Sequence, residues 1–301
     1  MRRAFVVVLT VLSIQAFRAP ASDAGHVPVT VVAGDEAGPG ARIGSPAPPT
    51  SGIERSSEAD APDPTSLQQT HAVYFVPKDR LDSNLDNDGT IANSLRAVRA
   101  WFVRETGSLA VRPRVDTYNG AFDISFLRGA ADAATYTSLD TIVAELRTHG
   151  YAETNKRYLI YAEVDRGDVC GEAYYPIPPV LDQGQYSVIY LSSSSCAARD
   201  YGDGTVAGSG RTDAIATHEW LHNEGLAPVG APHYCPTSPY HVCTGALWLA
   251  EGVDPEQVDA LFPLITGTLQ DTVLDRGHDD YLDHGWPWLP NLRASPWLEN
   301  A

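Results

Sequence analysis

The sequence predicts an α+β fold: a twisted mixed sheet with two main helices, then a helix carrying an HExxH motif, then an irregular, disulfide-pinned C-terminal part. Three observations predict it. Between residues 71 and 192, runs rich in Val, Ile, Tyr and Phe alternate with only two stretches of helical period. A third helical stretch, around residue 218, is broken at Gly225, and no repeat of fixed period runs through the chain. Four cysteines lie in the second half, where periodicity fades and Pro and Gly interrupt the chain.

The chain has 301 residues, 43% of them hydrophobic, which is enough for a sizeable core. Its 38 acidic and 21 basic residues give a net charge of −17, the wrong sign for a surface that neutralises phosphate or anionic lipid. No nucleic-acid or membrane partner is expected. At the N-terminus, Arg2 and Arg3 precede an apolar run from Ala4 to Phe17, and Ala19-Pro20-Ala21 has the small-x-small pattern of a cleavage site. Residues 1–21 therefore read as a secretory signal peptide, the run being shorter than the roughly 20 residues of a membrane span. Its removal takes away Arg2, Arg3 and Arg18 and no acid, leaving an exported chain at −20.

Residues 22–70 are dominated by Pro, Gly, Ala, Ser and Asp, and only Val29 to Val32 could make a short strand. Such a composition cannot bury enough apolar surface to offset its ordering entropy, so the segment is expected to be a linker. The alternative is a propeptide, for which His26 is the available ligand residue. The folded domain is expected at 71–301. Ala72 to Val76 reads as a strand and Ile91 to Glu105 as an amphipathic helix, with Asn84 to Gly89 between them as a turn that caps the helix rather than a calcium loop. Strands follow near Val111 to Tyr118 and Phe122 to Leu127, then a helix from about Ser138 to Thr148, and strands at Arg157 to Val164 and Ser187 to Ser192.

In an exported chain, an even number of cysteines points to disulfides. Short loops favour Cys170–Cys196 and Cys235–Cys243 over a four-Cys zinc site, since no two cysteines lie within two to four residues of each other. The chemistry concentrates at Thr217-His218-Glu219-Trp220-Leu221-His222-Asn223-Glu224-Gly225. On a helix, His218 and His222 are one turn apart and present both imidazoles to one zinc ion, with Glu219 placed as general base for a metal-activated water. Thr212-Asp213 can cap this helix and Gly225 can end it.

His218-Glu219-x-x-His222-x-x-Gly225 resembles the first part of the metzincin signature, and the order of elements is similar to that of the zincin fold. Two departures stand out: Pro228 occupies the position of the metzincins' third ligand, and Met1 is the only methionine, so there is no Met-turn. A group of secreted bacterial zincin-like proteins is more similar. There the helix runs on as His-Asn-x-Gly and leads to Ala-Pro-His, here Ala231-Pro232-His233. The resemblance also takes in Arg112 to Asp116, Asp123 to Ser125 and Gly277 to Tyr281, and it implies a zinc metallopeptidase. Cys170 to Pro176 resembles the upper edge strand of zincins, to which an extended peptide adds as a further strand; Pro176, Pro178 and Pro179 would limit its extension.

For the third ligand, His233 is chosen, because Gly225, Gly230 and the two prolines let the chain turn back. His241, inside the proposed Cys235–Cys243 loop, and Glu251 remain alternatives. The run His278 to His284 reads as a solvated turn. It could instead hold a second cation such as Ca2+ or bring Tyr281 near the zinc. The expectation is a secreted, monomeric, zinc-dependent peptidase acting on a peptide or protein substrate. The alternative is a non-catalytic extracellular or wall-associated binding protein in which zinc is structural.

Overall fold

The computed structural model describes residues 26–33, 57–63, 65–176, 186–196, 198–244, 254–265 and 267–301. The leader, Pro178, Pro179 and Glu251 lie outside them. The strands are β1 (His26–Ala33), β2 (Gln69–Val76), β3 (Val111–Pro113), β4 (Thr117–Tyr118), β5 (Ala121–Phe122), β6 (Ile124–Arg128), β7 (Lys156–Ala162), β8 (Val169–Pro176), β9 (Tyr186–Tyr190), β10 (Leu264–Ile265) and β11 (Leu298–Asn300). The helices are α1 (Thr90–Thr106), α2 (Leu139–Thr148) and α3 (Arg211–Asn223). Seven strands form a mixed sheet in the order β10-β1-β8-β9-β7-β2-β6. β6, β2, β7 and β9 run parallel, and β8 runs against β9.

The sheet is covered on both faces, so its central strands are apolar on both sides instead of alternating with polar residues. Ala72, Tyr74 and Val76 of β2 face Leu95, Val98, Trp101 and Phe102 of α1 and Ile215, Trp220 and Leu221 of α3. Val73 and Phe75 face Leu139, Ile142, Val143 and Leu146 of α2. Period-2 alternation in one strand thus assigns α1 and α3 to one face and α2 to the other. At the head of α1, Gly89 takes a left-handed conformation with φ 92° and Asp88 Oδ1 accepts from the Thr90 N–H at 2.8 Å, so a turn fills the place of the imitated calcium loop.

The segment expected to be a linker contributes structure. β1 pairs antiparallel with β8, from His26 opposite Pro176 to Val31 opposite Gly171, and parallel with β10 at Val32 and Ala33. β8 is therefore not the open edge that the sequence suggests. Main-chain pairing explains the difference: a strand needs only unpaired N–H and C=O groups to join, whatever the composition around it.

Both disulfides have the expected pairing, Cys170–Cys196 and Cys235–Cys243, with Cα atoms 5.3 and 5.1 Å apart. Lys156 is buried and bridges Asp63 at 2.7 Å and Asp116 at 2.8 Å, while His71 bonds Asp116 and Ser125. Among the described residues, no helix is long and apolar enough to cross a membrane.

Candidate metal centre

α3 is capped at its start by Gly210, whose N–H donates to Asp213 Oδ2 at 2.8 Å, while Thr212 Oγ1 donates to the Ala198 carbonyl. Its far end is anchored on three sides. Asn223 Nδ2 donates to the Tyr174 and Tyr186 carbonyls at 2.8 and 3.2 Å, tying the helix to β8 and β9. Glu224 forms a buried ion pair with Arg157, and Arg157 also lies over the Trp297 ring. Gly225 turns the chain at φ 73°, and its carbonyl accepts the Tyr175 hydroxyl at 2.7 Å. Through these bonds the residues that follow the second histidine fix the end of the helix against the sheet.

His218 and His222 share one face of α3, their Nε2 atoms 2.9 Å apart. The third nitrogen comes from His241, whose Nε2 lies 3.2 Å from that of His218. The three rings are 0–1% exposed, and their ligand atoms lie within 4.8 Å of one another. Two of the rings have an assigned tautomer. His218 Nδ1 donates to the Ala260 carbonyl at 2.7 Å, and His241 Nδ1 donates to the Pro239 carbonyl at 3.0 Å. Each Nε2 is then a bare lone pair, and two acceptors face each other with no hydrogen between them. Burial, with the neighbouring imidazoles, pushes the pKa of His218 and His222 well below the ordinary value, and burial takes His241 down to about 4. Neutral, convergent imidazoles suit a borderline cation. Two nitrogens bound at 2.0–2.1 Å to a tetrahedral zinc stand about 3.4 Å apart, close to the spacing found here.

Glu219 is fully buried, and neither carboxylate oxygen has a hydrogen-bond partner. Burial, reinforced by Glu172, raises its pKa well above the usual carboxylate range. It packs against Gly171 of β8, where a Cβ would come within 2.5 Å of Oε1 and 2.7 Å of Cγ. The glycine is needed there because the glutamate takes the space.

His233, the sequence choice for third ligand, does not join the helix pair. Its backbone N–H and its Nδ1 are bonded to Asp280, at 2.7 and 2.9 Å. The physical reason is the hairpin that follows. Tyr234 bridges Val242, the Cys235–Cys243 bond closes the loop, Cys235 N–H donates to the His241 carbonyl, and Tyr240 stacks on Tyr175 at 3.9 Å. The outgoing limb carries His233 away, and the returning limb brings His241 across α3. A histidine inside a short disulfide loop was the signal for it. Tyr281 is neither solvated nor turned toward the histidines: it is buried, its hydroxyl donating to Asp259 Oδ1 at 2.7 Å beside the Ala260 carbonyl that holds His218.

Beside α3, a cavity of about 160 Å³ is lined by Ala214, Thr217, Ala260, Leu264, Ile265 and Leu269, among others. β1 lies along the same side, between β8 and β10.

No protein-family model matches the chain, and no curated protein matches it. Among solved structures, wild-type OgpA from Akkermansia muciniphila is similar at 16% identity and a TM-score of 0.32, over 60% of this chain and 51% of that one. Catalytically inactive OgpA in complex with an O-glycopeptide substrate, glycodrosocin, is similar at 13% identity and a TM-score of 0.31, over 61% and 51%. The chain spans about half the length of those structures. A likeness of that size carries no argument about activity.

Proposed function

We propose that the protein is a secreted zinc-dependent peptidase of the zincin type, with His218, His222 and His241 as ligands and Glu219 as general base. One observation carries this reading: three buried imidazoles, two of them with a bare Nε2, converge beside a carboxyl group with no partner. Three protein nitrogens leave a fourth position for water or substrate, as catalytic zinc sites do. When bound, zinc supplies a Lewis acid for the scissile carbonyl and lowers the pKa of a water toward about 7.

The chain's own residues do the rest. Glu219 would be drawn back to its ionised, proton-accepting form by a cation held at the three imidazoles. Glu219 takes a proton as the water oxygen bonds to the carbonyl carbon, and returns it to the leaving nitrogen as the C–N bond breaks. The carbonyls of Ala260 and Pro239 hold two of the ligand rings in their tautomer throughout.

An extended peptide is the substrate class that the sheet favours. β1 already takes that form, antiparallel to β8 and parallel to β10, with Val31 opposite Gly171 and thus one strand away from the residue that packs on Glu219. The cavity beside α3 fits an apolar side chain of such a peptide. On this reading β1 stands where substrate belongs and is the part of a propeptide that must vacate the cleft before catalysis, while Asp60, Asp63 and the start of β2 stay with the domain.

The burial of all four site residues favours a second reading, in which zinc is structural in a non-catalytic extracellular protein. The two readings separate in one experiment: digestion of an unbiased peptide library, with zinc content measured in parallel. Glu219→Gln is expected to keep its zinc and lose at least 100-fold in cleavage rate. Unchanged cleavage in that variant would overturn the mechanism. Stoichiometric zinc with no cleavage by the wild type, with and without β1, would support the structural reading.

A further inference from the structure

The two motifs left over by the histidine trio, Ala231-Pro232-His233 and the acidic run at 278–284, meet each other. His233 Nδ1 lies 2.9 Å from Asp280 Oδ2, and Glu256 completes a group whose ligand atoms all lie within 4.8 Å of one another. Three separate segments contribute these residues: the hairpin after α3, a short turn at Pro255–Val258, and the turn after Asp275. Glu256 is only 4% exposed, yet its Oε2 is buried with no hydrogen-bond partner. A buried acceptor without a donor costs free energy unless something of opposite charge reaches it. Asp279, 3.8 Å from the same His233 nitrogen, adds a further carboxylate.

The backbone holds each donor in place before any ion arrives. Asp254 Oδ1 accepts the Glu256 N–H at 2.9 Å, and Asp275 takes the N–H groups of Asp279, Asp280 and Tyr281. The other mixed cluster of the molecule offers a contrast. Around His71, Asp60, Asp116 and Asp123 group together, but there the Lys156 ammonium already sits among the carboxylates. Among the described residues no lysine or arginine is within ion-pair distance of Glu256 or Asp280; Arg276 acts on Glu256 only from further away.

We infer that His233, Glu256 and Asp280 form a second divalent-cation site, distinct from the histidine trio, that takes an imidazole-accepting ion such as zinc or manganese. One nitrogen and two carboxylates match those ions, whereas calcium takes six to eight oxygen ligands. The ion ties together the segments that complete the first centre. The His233 carbonyl accepts the Cys243 N–H at 2.7 Å at the base of the His241 loop, and the Glu256 carbonyl accepts the Asp259 N–H at 2.7 Å, next to Ala260. The site is structural, and it does not depend on the peptidase reading.

The test uses the full chain and two readouts other than activity: bound metal per chain after dialysis against Zn2+ or Mn2+, and the shift of Tm on adding each metal to the chelated protein. Wild type is expected to hold two equivalents. Glu256→Gln, nearly isosteric and losing no hydrogen bond at Oε2, and Asp280→Asn are each expected to hold one, with a smaller metal-induced Tm shift. His241→Ala is expected to lose the other equivalent and keep this one. No bound metal in His241→Ala, or the same number of equivalents in Glu256→Gln as in wild type, overturns the site. A Tm shift with Ca2+ and none with Zn2+ or Mn2+ overturns the assignment of His233 as a ligand.

Discussion

Replacing Gly171 with alanine tests the placement of the general base without touching a ligand. The added Cβ would lie 2.5 Å from Glu219 Oε1 and 2.7 Å from Cγ, whereas ordinary contact begins at 3.4 Å. The carboxylate must therefore retreat by about 0.9 Å. Because the side chain is fully buried, it has no free space to swing into. A displacement of about 1 Å in a positioned catalytic group costs on the order of 100-fold, or about 2.7 kcal/mol of barrier. Gly171→Ala is thus expected to lower kcat/KM about 100-fold on a peptide substrate, mostly through kcat, with zinc content unchanged. Steady-state kinetics and metal analysis on the same preparation measure both. Activity within threefold of wild type would refute the placement of Glu219, and loss of zinc would show that β8 supports the histidines instead.

His241→Ala is expected to weaken zinc binding at the first centre by several orders of magnitude, read by competition with a chelator, because one of three ligands is gone. The same variant gives a pH signature without metal. Burial holds His241 down to about 4 in the folded protein against about 6.5 unfolded, so between those values the unfolded chain binds the extra proton and stability falls as pH drops from 6.5 to 4. Removing the ring should make that slope shallower by up to about 1.4 kcal/mol per pH unit in urea titrations of the chelated protein, and equal slopes would contradict the burial of a neutral ring. Val31→Pro, which removes a strand donor at the residue opposite Gly171, is expected to raise peptide cleavage by the full chain; a synthetic peptide of residues 26–33 should then inhibit it competitively. No gain in rate and no inhibition would return β1 to a purely structural role.

Local pattern was sufficient for most of the sheet and helices. The helix expected at Ile91 to Glu105 is α1, the helix from Ser138 is α2, and Arg157 to Val164 contains most of β7, because period and residue type reflect which faces are buried. The disulfide pairs were legible as well, since short loops and an even count leave one economical choice. Val29 to Val32 was legible as a possible strand, but its place beside β8 was not: that pairing is made by backbone groups, which every sequence carries, and β8 lies some 140 residues away. The same limit applied to the choice between His233 and His241. Both sit in the same Gly- and Pro-rich stretch, and although the short disulfide loop marks His241, which ring Asp280 captures and which swings across α3 depends on distant segments.

By itself, then, the amino-acid sequence determined that His218, Glu219 and His222 share one turn of one helix, because helical geometry follows from covalent structure and spacing alone. Tertiary structure alone decided the third nitrogen, the glycine that makes room for Glu219, and the strand that lies along β8. Each of these depends on segments brought together by long-range packing, a disulfide or main-chain pairing. Such contacts carry no period and no fixed spacing along the chain, and they arise only once the core has formed.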